Sequence, residues 1–175
     1  MANTARLARR GGRTNFERIK MTQTATTSEL RLIARDAEDL AIVSANLQDA
    51  LTLVADMAFD PQAGRFTLYA CRFDWLKATT GPLERCRTGL YFEGVEKASC
   101  AGFSRGDKAR ILNLLSVVFL EGGEGGGVVE LTFSDGCGVR LKVSRLDAKL
   151  CDRGERWPAR VRPGHACAEE GDAQG

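Results

Sequence analysis

Apolar and polar residues alternate strictly in two neighbouring runs in the C-terminal half of the chain, residues 129–133 and 139–143. A period of two is typical of a strand with one buried and one solvated face. Residues 134–138, SDGCG, are turn formers, so the two runs predict an antiparallel hairpin. The apolar positions change parity after the second run and continue at Leu146. A one-residue slip turns every side chain over, and we therefore predict a β-bulge at residues 144–145.

A second hairpin is predicted from residues 51–59 and 65–75, joined by a turn at residues 60–64. The returning strand also changes parity, near Cys71, and a second bulge is predicted there. Cys71 lies in an apolar run and is interpreted as a small core residue. Two bulged hairpins favour a strongly curved sheet over a flat one.

Helical spacing occurs in one segment, residues 37–50, where apolar residues form a stripe. Asp36 is the predicted N-cap, and Asp39 adds a favourable acidic charge to the first turn. Shorter strands are predicted at residues 30–35, within 87–103 and towards the end of 111–120, whereas residues 152–175 are predicted to be coil. The predicted fold class is α+β: one N-terminal amphipathic helix with six or seven mostly antiparallel strands in a curved sheet or open barrel. A pleckstrin-homology-like roll is one candidate.

The chain has 175 residues, of which 43% are hydrophobic and 27% charged, and this fits one domain. We predict a single domain over residues 29–165, flanked by a disordered basic and polar tail (1–28) and a disordered C-terminal tail (166–175). An alternative for the first tail is that translation starts at Met21. No run of about 18 apolar residues and no secretory signal is found, so we expect a cytoplasmic protein with no membrane partner.

Charge is distributed unevenly. The net charge is +2, but residues 1–20 hold six basic residues and one acidic residue, which leaves the remainder at −3. A mildly acidic folded part counts against nucleic-acid binding through a basic face.

The six cysteines are at least fourteen residues apart and the chain has one histidine, so no pattern of zinc ligands is found. We predict no metal and no cofactor. Cys137 lies in the turn of the C-terminal hairpin, where it is predicted to be exposed and oxidisable.

Several segments together resemble a known family: LRLIARDAEDLAIVSANLQDA (30–50), RFDW (72–75) and RTGLYF (87–92). The last hairpin follows, and then Trp157, Arg162-Pro163 and His165. In these features the chain resembles the small bacterial proteins grouped as domain of unknown function 2948, over about residues 29–165. The family has no established activity, so the resemblance implies no catalytic residues.

The first functional hypothesis is a non-enzymatic module that binds an unknown protein or a small ligand. An aromatic residue beside arginines and acids is typical of an interface, and the candidate patch consists of Gln48, Asp49, Arg72, Asp74, Trp75 and Arg87. In the alternative interpretation, Trp75 is a core residue and Arg72 forms a local ion pair with Asp74. Surface pairs of that kind stabilise a fold by only about 0–1 kcal/mol.

The second hypothesis is an enzyme that uses carboxylates without a metal. Acidic residues are plentiful, but their spacing singles out no pair, and no catalytic residue is predicted. The third is nucleic-acid binding through the basic N-terminal arm, which ranks last because aromatic and basic residues do not alternate on any predicted strand.

Overall fold

The computed structural model describes residues 29–163. The predictions for residues 1–28, His165, Cys167 and residues 166–175 concern parts of the chain outside this range. The described residues form one helix and ten strands: β1 (Arg31–Ala34), α1 (Ala37–Leu47), β2 (Ala50–Leu53), β3 (Met57–Asp60), β4 (Arg65–Phe73), β5 (Glu84–Glu93), β6 (Val95–Ala101), β7 (Ile111–Glu121), β8 (Gly127–Phe133), β9 (Gly138–Val143) and β10 (Ala148–Pro158). Short 3₁₀ turns occupy Val54–Asp56, Lys77–Thr79 and Gly123–Gly125.

All ten strands belong to one antiparallel sheet, in the order β1-β10-β5-β4-β2-β7-β8-β9-β6, and β3 pairs with β4 outside this path. The predicted antiparallel sheet with one helix is therefore confirmed, but six or seven strands was an undercount. Residues 51–59 and 87–103, each predicted to contain one strand, contain two. Residues 152–158, predicted to be coil, are part of the long strand β10.

The sheet curls because of two abrupt crossings of the chain. Only Gly94 separates β5 from β6, although these strands are six places apart in the sheet order. Gly94 has a φ of 71°, and a Cβ atom there would lie 3.0 Å from Ser144 Oγ. At the same corner the Ser144 amide donates to the Gly94 carbonyl at 3.0 Å, and the Glu93 amide donates to the Asp147 carbonyl at 2.9 Å. The two halves of the sheet thus meet at this corner, and their buried residues form one apolar core.

Helix α1 begins as predicted. The Asp36 carboxylate accepts a hydrogen bond from the Asp39 amide at 2.8 Å, which satisfies a backbone donor in the first turn. Ser44 Oγ accepts from the Val117 amide at 2.9 Å and ties the helix to β7. The helix ends at Leu47, three residues earlier than predicted, because Asp49 adopts a left-handed φ of 58° before β2. No helix within residues 29–163 is long and apolar enough to cross a membrane.

The predicted C-terminal hairpin is confirmed as β8 and β9, with Leu131 opposite Val139. The predicted bulge at residues 144–145 is wrong, because β9 ends at Val143 and the chain crosses to the other half of the sheet before β10 begins. Val143 and Leu146 are nevertheless both buried, at 2% and 5% exposure. The change of parity in the sequence marks a break between two strands.

The second predicted bulge, near Cys71, is also wrong. The β4–β5 register runs without a shift from Arg65 opposite Glu93 to Phe73 opposite Arg85. The inward positions of β4 continue to Arg72, so the apolar pattern is interrupted by a buried charge in a regular strand. Cys71 consequently faces outward and is half-buried, contrary to its interpretation as a core residue.

Cys137 is buried, not exposed as predicted. Its thiol lies 3.3 Å from the carbonyl oxygen of Gly102, and the Arg110 guanidinium lies 3.3 Å from the sulfur. The loop after β6 therefore covers the tip of the β8–β9 hairpin, which removes this cysteine from solvent.

We expect Val143→Ala and Leu146→Ala each to lower the free energy of unfolding by about 1–4 kcal/mol, because each leaves a cavity in the core. Lys142→Ala is the control. Lys142 is exposed and forms an ion pair with the exposed Glu96. The free energy of unfolding of Lys142→Ala is therefore expected to stay within about 0.5 kcal/mol of the wild-type value. Urea unfolding of the three variants checks this, and a silent Leu146→Ala would contradict the placement of the crossing.

Candidate functional site

The six residues predicted to form a patch fall into three places. Gln48 is exposed at the end of α1, where its carbonyl accepts a hydrogen bond from Trp75 Nε1 at 3.2 Å. Arg72 and Asp74 are buried. Arg87 is exposed, and it lies on the opposite face of the sheet from Arg72, because Arg72 pairs with its neighbour Cys86. The binding role of the six residues stays a prediction, as does the absence of a metal.

The sixth residue, Asp49, is buried between α1 and β2. Its carboxylate accepts a hydrogen bond from Asn113 Nδ2 at 3.4 Å, and its amide donates to the Leu114 carbonyl at 2.9 Å. These two hydrogen bonds hold Asp49, the residue of left-handed φ that follows α1, against β7.

Trp75 is half-buried beside Phe73, with ring centroids 4.7 Å apart and planes inclined at 67°. The Arg162 guanidinium lies 5.6 Å from the centre of the Trp75 ring. Edge-to-face aromatic contacts and cations over aromatic rings are each favourable by about 0.5–1.5 kcal/mol. Trp75 therefore joins the end of β4, the end of α1 and the last described residues of the chain.

A cluster of three buried charges and one partly buried charge lies at the inner end of β4, and we call Arg72, Asp74, Asp152 and the partly buried Arg156 the ion cluster. Arg72 is 1% exposed and donates two hydrogen bonds to Asp152, from Nε to Oδ1 at 2.8 Å and from Nη2 to Oδ2 at 2.7 Å. Arg156 donates to Asp74, and its second amino group lies 3.1 Å from Asp152 Oδ2. Arg72 and Asp74 are farther apart, at 4.0 Å. The ion pair between Arg72 and Asp74 in the alternative interpretation is thus present, but both side chains are buried and Arg72 lies closer to Asp152.

The backbone completes the ion cluster. The Leu30 amide donates to Asp152 Oδ2 at 3.2 Å, and the Asp152 amide donates to the Leu30 carbonyl at 2.9 Å. Asp74 Oδ1 accepts from the Lys77 amide at 3.2 Å. A bidentate arginine–carboxylate pair with these further donors is the geometry that offsets the desolvation of buried charges.

An irregularity in β10 builds the ion cluster. The register between β10 and β5 shifts between Arg153, opposite Arg87, and Arg156, opposite Cys86. Gly154, with a φ of 73°, lies inside this shift. Residues 154 and 155 are two extra residues in β10. Because their number is even, Arg156 faces the same side of the sheet as Asp152 and takes the next inward position after it. Arg72 pairs with the same Cys86 from the other side, so the cysteine lies between the two arginines.

The protonation states of Cys86 and Asp152 keep the ion cluster electrically neutral. Burial raises the pKa of Cys86 to about 12, although the charges of Arg72 and Arg156 act in the opposite direction. Its thiol is therefore neutral at ordinary pH. Burial also acts to raise the pKa of Asp152, but the hydrogen bonds and charge of Arg72, with the Leu30 amide, hold it below its usual value. The ion cluster then has two positive charges, on Arg72 and Arg156, and two negative charges, on Asp74 and Asp152, which neutralise one another.

The opposite face of the same strands is open to solvent, and we call its central residues the outer-face surface: Leu51, Leu53, Tyr69, Arg87, Ile111 and Arg153. They line a shallow pocket of about 590 Å³. Ile111 is 63% exposed and Tyr69 is 44% exposed. The apolar members of β2 point outward because Thr52 and Val54 take the buried positions. A combination of exposed aliphatic, tyrosine and arginine side chains is typical of protein interfaces.

Arg87 and Arg153 lie directly opposite each other on neighbouring strands. Like charges in facing positions destabilise a sheet. Within residues 29–163, no hydrogen bond or ion pair of the Arg87 side chain is found, and the Arg153 guanidinium lies 5.7 Å from the centre of the Tyr91 ring. The Tyr91 ring covers Gly89, where a Cβ atom would meet the tyrosine oxygen at 2.6 Å, and its hydroxyl lies 3.4 Å from that of Tyr69.

Sequence reasoning missed Asp152 and Arg156, since both fall in the segment predicted to be coil, and it missed Tyr69 and Arg153. One signal was present: positions 66, 68 and 70 of β4 are apolar, and the next residue of that series is Arg72. A charge at an inward position of a strand requires a buried partner of opposite charge. No group of three or more His, Cys, Asp or Glu side chains arranged to hold a metal occurs within residues 29–163.

Comparison with known proteins gives one match. A family model described as "Protein of unknown function (DUF2948)" matches residues 30–165. Neither the curated proteins nor the solved structures contain a match to this chain. The pleckstrin-homology-like roll consequently stays a prediction.

We expect Asp152→Asn to lower the free energy of unfolding by about 3–5 kcal/mol, because it leaves the buried Arg72 and the partly buried Arg156 with one carboxylate between them. The matched control is Glu93→Gln, which breaks the exposed pair with Arg65 (2.8 Å) and is expected to change stability by at most about 1 kcal/mol. Urea unfolding measures both variants. Equal losses would show that the ion cluster contributes no more than a surface pair.

The stabilising effect of Asp152 should depend on pH in one direction. Its folded pKa is lowered, so the contribution is complete above the ordinary aspartate pKa of about 3.9 and is lost as the pH falls through the folded pKa. We expect the difference in unfolding free energy between wild type and Asp152→Asn to be constant from about pH 7 to pH 5 and to narrow below about pH 4. A difference that widens in acid would contradict the lowered pKa.

Proposed function

This chain belongs to the family of proteins of unknown function DUF2948, and we propose that it is a non-enzymatic module that binds a protein partner through the outer-face surface. The observation that carries the proposal is the facing pair Arg87 and Arg153, set among exposed apolar side chains. The pair disfavours the isolated fold, so an anionic group supplied by a partner would relieve it.

The chemistry of the surface favours a particular partner. Leu51, Leu53 and Ile111 offer aliphatic contacts, which suit the side chains of another protein better than the planar bases of a nucleic acid. Asp56 is the one acidic residue among those that line the pocket. A segment that presents carboxylates beside apolar side chains matches this surface in both charge and polarity.

The proposal predicts that one substitution, Arg87→Glu, has opposite effects on the stability of the protein and on its binding to the partner. Arg87→Glu converts the facing like charges into an opposite pair with Arg153, so the isolated protein should gain about 0.2–1 kcal/mol. The same change should abolish partner binding, because it reverses the charge that the partner meets. Lys97→Glu, on an exposed residue of β6, is the control and should leave binding unchanged.

Binding is measured by photo-crosslinking in the cells that make the protein, with a benzophenone amino acid at position 53 and, as the control, at position 42. Ile42 is 56% exposed on α1, away from the outer-face surface. We expect a protease-sensitive adduct at position 53 that is absent at position 42 and is lost with Arg87→Glu. A nuclease-sensitive adduct, an adduct between two copies of this chain, or equal adducts at both positions would overturn the proposal.

A further inference from the structure

A second cavity lies where the curled sheet fails to close. The strands β3 and β6 each pair on one side only, with β4 and β9 respectively. The Val95 amide donates to the Gly64 carbonyl at 2.8 Å and joins the two halves at one end of this seam. Within residues 29–163 the strands β3 and β6 do not pair with each other, and residues of both line a cleft of about 890 Å³.

Apolar residues form the floor and walls of this cleft. Phe66 is buried beneath it, and Met57, Phe59, Ala98 and Phe103 are partly buried around it. A volume within about 300–1,000 Å³ and a mainly apolar lining are usual for small-molecule sites, which often lie at the mouths of β-barrels. The cleft can therefore accept an apolar chain.

Two cations stand at the edge of the cleft. Arg105 and Lys108, on the loop between β6 and β7, contribute to its lining and are exposed. Within residues 29–163, neither side chain has a hydrogen bond or ion pair, and no Asp or Glu is found among the residues that line the cleft. The cleft thus combines an apolar interior with unneutralised positive charge at one side.

We propose that this cleft binds a free amphipathic carboxylate, with its acyl chain against Phe66 and Phe103 and its carboxylate beside Arg105 and Lys108. The carboxylate supplies the charge that the two cations lack, and the chain removes exposed apolar surface from water. This site shares no lining residue with the outer-face surface, so each proposal can be tested without the other.

Calorimetric titration of the full chain with octanoate, decanoate and dodecanoate, each below its micelle concentration, tests the proposal. The affinity should rise about fourfold for each methylene group added. Decanol, the neutral counterpart of decanoate, should bind about tenfold more weakly or worse, since a hydrogen bond to a charged group is lost. Affinity that does not depend on chain length would overturn the proposal.

Variants separate the two halves of the site. Arg105→Gln combined with Lys108→Gln should remove the preference for decanoate over decanol, whereas Lys97→Gln should preserve it. Ala98→Leu fills the cleft and should weaken decanoate binding about tenfold, and Ala45→Leu, at an exposed position of α1, should not. Thermal melts confirm that each variant is folded. Retention of the preference in the double glutamine variant would show that the cations are not part of the site.

A chemical probe locates the bound molecule. Cys100 is exposed and lines the cleft, whereas Cys71 lies on the outer face. Saturating decanoate should slow the alkylation of Cys100 severalfold and leave Cys71 unchanged, as read by mass spectrometry of the two peptides. Heat of binding without protection of Cys100 would place the ligand elsewhere and overturn the proposal.

Discussion

The bidentate pair between Arg72 and Asp152 is the interaction on which the rest of this half of the sheet depends. Two full charges lie almost completely out of water, an arrangement that is unfavourable unless each charge is neutralised and hydrogen-bonded. Arg156, Asp74 and the Leu30 backbone provide the remaining partners. These residues come from β4, from the turn after it, from β10 and from the segment before β1, so one cluster fixes four parts of the chain.

The requirements of the ion cluster explain local features that otherwise look irregular. Gly154 and the register shift in β10 bring Arg156 next to Asp152. Cys86 is small and, with its raised pKa, uncharged between two arginines; a carboxylate or an ammonium group at that position would upset the balance of two positive and two negative charges. The strand β4 consequently runs from the apolar cleft at Phe66 to a polar, closed interior at Arg72.

The sequence predicted those parts of the fold whose pattern is local. The cap at Asp36, the helix that follows it and the β8–β9 hairpin depend on near neighbours, and the structure confirms them. The prediction failed at Arg72 because the change of parity around this inward charge was interpreted as a β-bulge near Cys71, whereas the strand is regular and the partner of Arg72 lies 80 residues away. The outer-face surface was not predicted because Arg87 and Arg153 face each other only through the strand order, which no local pattern specifies.

A double-mutant cycle between Arg72 and Asp152 tests the central claim most directly. Arg72→Met, Asp152→Leu and the combination replace the charges with apolar groups of similar size, and urea unfolding gives the coupling free energy. We predict that each single variant is strongly destabilised and that the double variant is more stable than the sum of the losses by about 2–3 kcal/mol, because it removes one charge of each sign and leaves Arg156 and Asp74 to pair with each other. Additive losses within about 0.5 kcal/mol would contradict the account.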